Sequence, residues 1–121
     1  MAEAVAAAAE LHAAGAREVV VKGLVLDHEG RPTQHVVGLD DDGAWLARAP
    51  HIAQFWSGSG DVFTALVAGL RLAGTPLDET VARGTALMEE LIARTFELGA
   101  PELRMVEIGR ASCRERVLTG V

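Results

Sequence analysis

The feature that most constrains the fold is a run of three valines, Val19–Val21, which follows an alanine-rich segment and a glycine turn. Alanine favours a helix over residues 2–14, and Gly15 is a residue type that commonly ends one. Consecutive β-branched residues are typical of a strand that is buried on both faces, as strands are in a parallel sheet. A helix, a short turn and a buried strand in succession predict an α/β layered fold.

The next part of the chain predicts further strands. Residues 34–39 form one candidate strand, and residues 44–48, in which apolar and polar residues alternate weakly, form another. Asp42-Gly43 between them is a hairpin signal. We therefore expect a β-meander or hairpin at an edge of the sheet, ending at Pro50.

A helix is predicted after Gly60 and through about Ala73, and Gly74 ends it. Almost all of its residues are apolar. A helix that is apolar on most sides is normally enclosed by other elements. We therefore expect most of the circumference of this helix to be covered.

The following segment predicts a second helix. Thr75 suits its N-cap and Pro76 its first helical position. Apolar residues then recur mainly at helical spacing until Gly99 and Pro101 end the helix. Residues 103–106 are a candidate for a short final strand.

The composition limits the classes of protein. With 121 residues and a hydrophobic share of 50%, the chain can form one domain with a core. A net charge of −6 argues against a nucleic-acid-binding protein, which normally has a basic surface. There is no apolar run of the roughly 20 residues that cross a membrane, and the first residues lack the basic start of a signal peptide. The single cysteine excludes an internal disulfide. We therefore expect a cytoplasmic protein without nucleic-acid or membrane partners.

Other polar and aromatic residues carry weaker signals. The acidic run at 40–42 lacks the spaced oxygen ligands of a calcium loop, so we expect a solvated turn. We expect His12, His28 and His35 to be surface or turn residues, and the histidines show no metal-ligand spacing. We therefore predict no metal site. Trp56 is expected to be a packing residue that lies close enough to the following glycines to border a ligand site there.

The segment Gly58-Ser59-Gly60-Asp61 introduces the apolar helix. A helix N-terminus has backbone N–H groups without partners and a partial positive charge. Glycines let a ligand approach the backbone closely. Together these features predict an anion site, typically for phosphate. Asp61 is either a helix cap or a general base that accepts the proton of a hydroxyl attacking a phosphoryl group.

The same segment resembles a known kinase family. GSGDVFTALVAGL is similar to the G-x-G-D motif of the ribokinase-like (PfkB) kinases. The segments VVVKGL, TPLDETVARGTALMEELIARTFELG and PELRMV resemble successive parts of the pyridoxal kinase branch. The resemblance covers about residues 2–107. It implies that residues 1–107 are the C-terminal part of a kinase domain with the ribokinase-like α/β/α sandwich.

The resemblance also implies roles for individual residues. Asp61 matches the family's catalytic base, which binds the substrate and deprotonates the 5′-hydroxymethyl group of pyridoxal. Gly58, Ser59 and Gly60 match the anion hole for the γ-phosphate. Lys22 matches a lysine that contacts ATP, although its position equally suits the exposed end of a strand. The implied ATP-binding positions are Lys22, Ala49, Pro50, His51 and Ile52.

The implied reaction is the ATP-dependent phosphorylation of pyridoxal in vitamin B6 salvage, with Mg²⁺, often a monovalent cation, and a homodimeric full-length protein. Family members are much longer than this chain, so we expect a truncated piece with little or no kinase activity alone. One alternative is another ribokinase-like kinase, acting on a sugar, a nucleoside or hydroxymethylpyrimidine, although the pyrimidine kinases usually have cysteine where Asp61 stands. Another is a non-catalytic fragment that binds a nucleotide or phosphate.

The end of the chain differs from the rest. Residues 109–121 contain three arginines and the only cysteine, with no clear periodicity. The stretch IGRASCRERV resembles the translation of a common sequencing adapter. We therefore expect residues 108–121 to be a non-native or disordered tail.

Overall fold

The computed structural model describes residues 1–52, 54 and 56–105. Within these residues a helix, three strands and two helices follow one another. This order confirms the α/β class and the β-meander. The elements are α1 (Ala2–Ala13), β1 (Val19–His28), β2 (Arg31–Asp40), β3 (Gly43–Pro50), α2 (Ser59–Leu72) and α3 (Leu77–Glu97).

The three strands form an antiparallel sheet in the order β1-β2-β3. The expectation that Val19–Val21 belong to a parallel, doubly buried strand is therefore wrong for the described part of the chain. There β1 pairs only with β2, and Val20 and Val21 are half-buried. Valine favours a strand of either direction, so the run of valines could not predict the direction of the neighbouring strand.

The two connections between the strands are tight. Asp40 pairs with Gly43, which leaves a two-residue turn at the predicted hairpin signal. The backbone N–H of Asp42 donates a hydrogen bond to the Asp40 carboxylate at 2.7 Å. The acidic run thus forms the exposed turn that its composition predicts.

The main core lies between β2 and the two long helices. Its buried residues come from β2, α2 and α3, and Val36 is the β2 member. The neighbouring Val37 points to the opposite face of the strand and is only 2% exposed. Both faces of β2 are therefore covered, and α1 packs against β1 and β2. The core cluster is Val36, Phe63, Leu77, Val81, Met88 and Leu91.

Helix α2 is less covered than its apolar sequence predicts. Phe63 is its only fully buried residue, while Ala65 and Ala68 are exposed and Leu72 is 89% exposed. The expectation of a largely covered helix is therefore wrong. The apolar composition of α2 shows that its burial would be favourable, but whether it is buried depends on which other elements pack against it.

Helix α3 begins one residue later than predicted. Its N-cap is Pro76, not Thr75, because the Pro76 carbonyl accepts the first helical hydrogen bond, from the Thr80 N–H at 2.8 Å. The Thr75 carbonyl instead accepts hydrogen bonds from the side chains of Arg71 and Thr80. The predicted end is confirmed, since α3 stops before Gly99, whose φ is +60°.

The structure corrects or leaves open the predictions for the C-terminal part. Residues 103–105 form no strand. Instead, the Arg104 N–H donates to the hydroxyl of Thr95 at 3.1 Å, which ties this segment to α3. Val106, the proposed boundary at residue 107 and the tail at 108–121 lie outside the described residues.

Candidate functional site

The predicted anion hole lies at the N-terminus of α2. Gly58 is the N-cap, with a left-handed φ of +85° that favours glycine, and its carbonyl accepts the N–H of Val62 at 3.0 Å. No side chain caps this helix end. The N–H groups of the first turn therefore remain available to an anion, reinforced by the helix dipole.

Lys22 reaches the same helix end from the sheet. A β-bulge interrupts the pairing of β1 and β2 between Val21 and Leu24, where Gly23 has a φ of +76°. A bulge bends the strand and redirects its side chains. A β-carbon added to Gly60 would lie 2.9 Å from Lys22 Nζ. The structure therefore brings the ammonium group of Lys22 against the predicted anion hole.

A cavity of about 610 Å³ adjoins this point. It lies between the ends of β2 and β3, the segment after Pro50 and one face of α3. All five predicted ATP-binding residues line it, and Ser59 of the anion hole lines it as well. The volume is in the range of small-molecule and cofactor sites. The lining residues are Lys22, Gly23, Gln34, Val36, Ala49, Pro50, His51, Ile52, Gln54, Trp56, Ser59, Phe63, Thr85, Met88, Glu89, Ile92 and Ala93.

Hydrogen bonds fix the segment that follows β3. The Gln34 side-chain amide pairs with His51 Nδ1 at 3.0 Å, and the His51 N–H donates to the Pro32 carbonyl at 3.3 Å. Trp56 is 3% exposed, and its indole N–H donates to the Ala100 carbonyl at 3.1 Å. Trp56 is thus a packing residue that also lines the cavity, as its position before the glycines predicts.

Asp61 occupies a different side of the site. Its carboxylate lies in the first turn of α2, is exposed, and does not line the cavity. Gly58 and Gly60 do not line the cavity either. Among the described residues, no hydrogen bond or ion pair involves the Asp61 side chain. The carboxylate therefore remains available at the helix end that also carries the free N–H groups, outside the apolar walls.

Five of the lining residues that sequence analysis missed lie on one face of α3. Thr85, Met88, Glu89, Ile92 and Ala93 follow the spacing of a single helical face. Three of these five, Met88, Ile92 and Ala93, also suit a helix surface that packs against the core, so the spacing alone could not indicate a cavity wall. The polar Thr85 within this face is the signal that could have indicated one.

Two further properties concern the described residues alone. No three side chains of His, Cys, Asp or Glu among residues 1–52, 54 and 56–105 come together as a metal-binding group. The residues present therefore do not form a protein cage for Mg²⁺, which usually binds one or two carboxylates together with substrate phosphates. The helices in this part of the chain are too short or too polar to cross a membrane.

His35 differs from the expectation of a surface or turn residue. It is 4% exposed in the middle strand β2. Its Nδ1 lies 2.9 Å from the Thr33 carbonyl, and Arg48 donates from Nε to its Nε2 at 3.2 Å. Because a carbonyl only accepts hydrogen bonds, these contacts place the proton of the neutral ring on Nδ1.

Comparison with known proteins relates this geometry to kinases. The sequence profile of the phosphomethylpyrimidine kinase family matches residues 1–105. A pyridoxal kinase of Corynebacterium diphtheriae is 30% identical over 115 residues, which are 95% of this chain and 40% of that protein. A pyridoxine/pyridoxal/pyridoxamine kinase of Bordetella pertussis is 35% identical over 105 residues, or 85% of this chain and 36% of that protein.

The fold is found in a solved structure as well. A crystal structure described as a phosphomethylpyrimidine kinase of Bacteroides thetaiotaomicron superposes with a TM-score of 0.78 at 20% identity. The superposition covers 88% of this chain and 37% of that one. The chain spans between 34% and 40% of the length of the curated relatives that it matches.

Proposed function

Because the chain belongs to the phosphomethylpyrimidine kinase family, we propose that it carries the nucleotide- and phosphate-binding part of a kinase that phosphorylates the 5′-hydroxymethyl group of pyridoxal. One observation carries the proposal. The ammonium group of Lys22 and the uncapped N-terminus of α2 meet beside a 610 Å³ cavity. The names of the curated relatives support pyridoxal as the substrate.

In this proposal the cavity holds ATP. Its largely apolar walls, among them Val36 and Met88, accept the base. The terminal phosphate lies at the N–H groups of residues 58–60. There the helix dipole and the Lys22 ammonium stabilise the negative charge that develops during phosphoryl transfer.

Asp61 supplies the base in the same proposal. Its exposed carboxylate accepts the proton of the pyridoxal hydroxymethyl group while the hydroxyl oxygen attacks the γ-phosphorus. The bond from the γ-phosphorus to the bridging oxygen breaks, and ADP leaves with that oxygen. Because Asp61 lies outside the cavity lining, the alcohol approaches from the side opposite the nucleotide.

The resemblance also predicts Mg²⁺, a monovalent cation, a homodimer and a cytoplasmic location, and these stay predictions. The chain spans at most 40% of its curated relatives. We therefore expect it to bind ATP but to phosphorylate pyridoxal slowly or not at all by itself.

Calorimetric titration with ATP tests the phosphate site. Lys22→Met is expected to weaken ATP binding by about 10²–10³-fold, because one opposite charge at about 4 Å near a protein surface interacts with about 4 kcal/mol. Arg83→Gln is the matched control. It removes one positive charge from an exposed position of α3 outside the cavity, so it should leave binding unchanged. Equal binding by the Lys22→Met variant and the unaltered chain would refute the proposed phosphate site.

Turnover tests the base. In a full-length protein that contains this segment, Asp61→Asn should lower kcat by about 10²–10⁴ and leave nucleotide affinity intact, since the carboxylate acts on the alcohol. Normal turnover in this variant would contradict the assignment. If the segment only binds nucleotides, neither the unaltered protein nor the Asp61→Asn variant would phosphorylate pyridoxal.

A second candidate substrate is hydroxymethylpyrimidine or its phosphate. The family match and the name of the superposed structure favour it. Comparing kcat/KM for pyridoxal and for hydroxymethylpyrimidine in the same full-length protein distinguishes the two candidates. A higher value for the pyrimidine would replace pyridoxal in the proposal and leave the phosphate site unchanged.

A further inference from the structure

Thr85 is the only residue among those described whose buried side-chain polar atom has no hydrogen-bond partner. The residue is 5% exposed and lies in the middle of α3. A threonine in a helix can donate to the carbonyl one turn earlier. Thr95 of the same helix does so, to the Leu91 carbonyl at 2.7 Å. A buried hydroxyl that lacks such a bond is destabilising, so its presence calls for a partner.

Thr85 also lines the cavity. Its neighbours on this face of α3, Met88 and Ile92, are apolar, and Glu89 is exposed. Thr85 is therefore the buried polar group of this wall. Rotation about its single side-chain torsion χ1 exchanges the hydroxyl and the methyl group. The same side chain can thus present a hydroxyl to a ligand without any movement of the helix.

We propose that Thr85 is a nucleotide-binding residue whose hydroxyl forms a hydrogen bond with the base of the bound nucleotide. The inference rests on the proposed function, because it takes the cavity as the nucleotide site. Lys22 and Ser59 mark the phosphate end of that cavity. The base then lies against the apolar remainder, to which Thr85 belongs. A hydroxyl can donate to a ring nitrogen or accept from an exocyclic amino group, and both occur on adenine.

Removing the Thr85 hydroxyl should raise thermal stability and weaken ATP binding. Thr85→Val keeps the shape of the side chain and removes the unpaired polar atom. The ligand-free variant should therefore melt roughly 4 °C or more above the unaltered chain. Its dissociation constant for ATP should rise about three- to tenfold, the effect of one lost hydrogen bond. Thr85→Ser keeps the hydroxyl and should retain ATP affinity within about twofold.

Thr95→Val is the matched control from the same helix. Its hydroxyl is already bonded, to the Leu91 carbonyl and the Arg104 N–H, and it lies outside the cavity. This variant should melt at a lower temperature and bind ATP normally. The change in melting temperature is thus opposite in sign to that expected for Thr85→Val, and the loss of ATP affinity is absent.

Inorganic tripolyphosphate is the probe that separates this inference from the proposed function. It has the phosphates of ATP and no base, so Thr85→Val should bind it as tightly as the unaltered chain does. Equal ATP affinity in the Thr85→Val and unaltered chains would overturn the role of Thr85 and leave the nucleotide site standing. A chain that binds neither ATP nor tripolyphosphate would overturn the nucleotide site and the role of Thr85 together. Equal weakening towards both ligands would also overturn the contact with the base.

Discussion

Gly60→Ala tests whether Lys22 acts at the N-terminus of α2. The added β-carbon would lie 2.9 Å from Lys22 Nζ and 3.5 Å from its Cε. These atoms are the far end of a flexible side chain, so the lysine can move aside at little cost in stability. Alanine also favours a helix over glycine by up to about 1 kcal/mol. We therefore expect the free energy of unfolding to stay within about 1 kcal/mol of its original value.

Anion binding should respond much more strongly. For a unit charge at about 4 Å and an effective dielectric constant near 20, the interaction is about 4 kcal/mol. Moving the ammonium about 2 Å away lowers it by roughly 1.4 kcal/mol, or about tenfold in the dissociation constant. Calorimetric titration with tripolyphosphate measures this change directly.

Two further variants show whether the loss of binding in Gly60→Ala comes from displacement of the Lys22 ammonium. Gly69→Ala lies in the same helix, where an added β-carbon meets no atom within 4 Å, so it should stabilise the chain without changing binding. In a Lys22→Met background, Gly60→Ala should cause little further loss of binding, because the displaced charge is already absent. A full tenfold loss in that background would refute the reasoning, since the effect would then come from crowding of the backbone.

Three further predictions concern stability. Gly38→Ala should destabilise the protein by about 1–3 kcal/mol in urea unfolding, because the added β-carbon would lie 2.7 Å from Val81 Cγ2 in the core. An unchanged urea midpoint would contradict the close packing of β2 on α3. Trp56→Phe should lower stability by about 1–3 kcal/mol in thermal unfolding, because it leaves the Ala100 carbonyl without its donor; no loss would mean that this bond does not hold the segment. The hydrogen bond with the Ala16 carbonyl and the contact with Asp41 raise the pKa of His12 above 6.5, against the opposing effect of desolvation. The stability that protonated His12 contributes is therefore present below pH 6.5 and lost as the pH rises through the folded pKa. His12→Gln should therefore reduce the fall in urea midpoint between pH 6 and pH 8. An identical pH profile in the variant would contradict the role of His12.

The elements that sequence analysis predicted well are those with local signals. Alanine content and Gly15 indicate α1, and Asp42-Gly43 indicates the hairpin, because turn and helix preferences act over a few residues. The glycine loop indicates an anion site for the same reason, since Gly58 adopts a left-handed φ of +85°. The backbone geometry at one end of the site was therefore predictable, and anion binding there stays a prediction.

The remaining features depend on contacts between distant parts of the chain. His35 is buried because it lies in the middle strand, and α2 is exposed because few elements pack on it. The same limit applies to the cavity. Gln34 of β2 and Thr85 of α3 are 51 positions apart in the chain and meet only through the packing of α3 on the sheet. That Gln34 and Thr85 line the same cavity could not be predicted from their separation in the sequence.

The central claim is that nucleotide phosphates bind at the N-terminus of α2 beside Lys22. Amide ¹H–¹⁵N spectra of the chain, recorded during titration with ATP, test it most directly. The account predicts the largest shifts at the backbone N–H groups of Gly58, Ser59 and Gly60, and the loss of these shifts in Lys22→Met. Saturable ATP binding that leaves these three signals unmoved would contradict it.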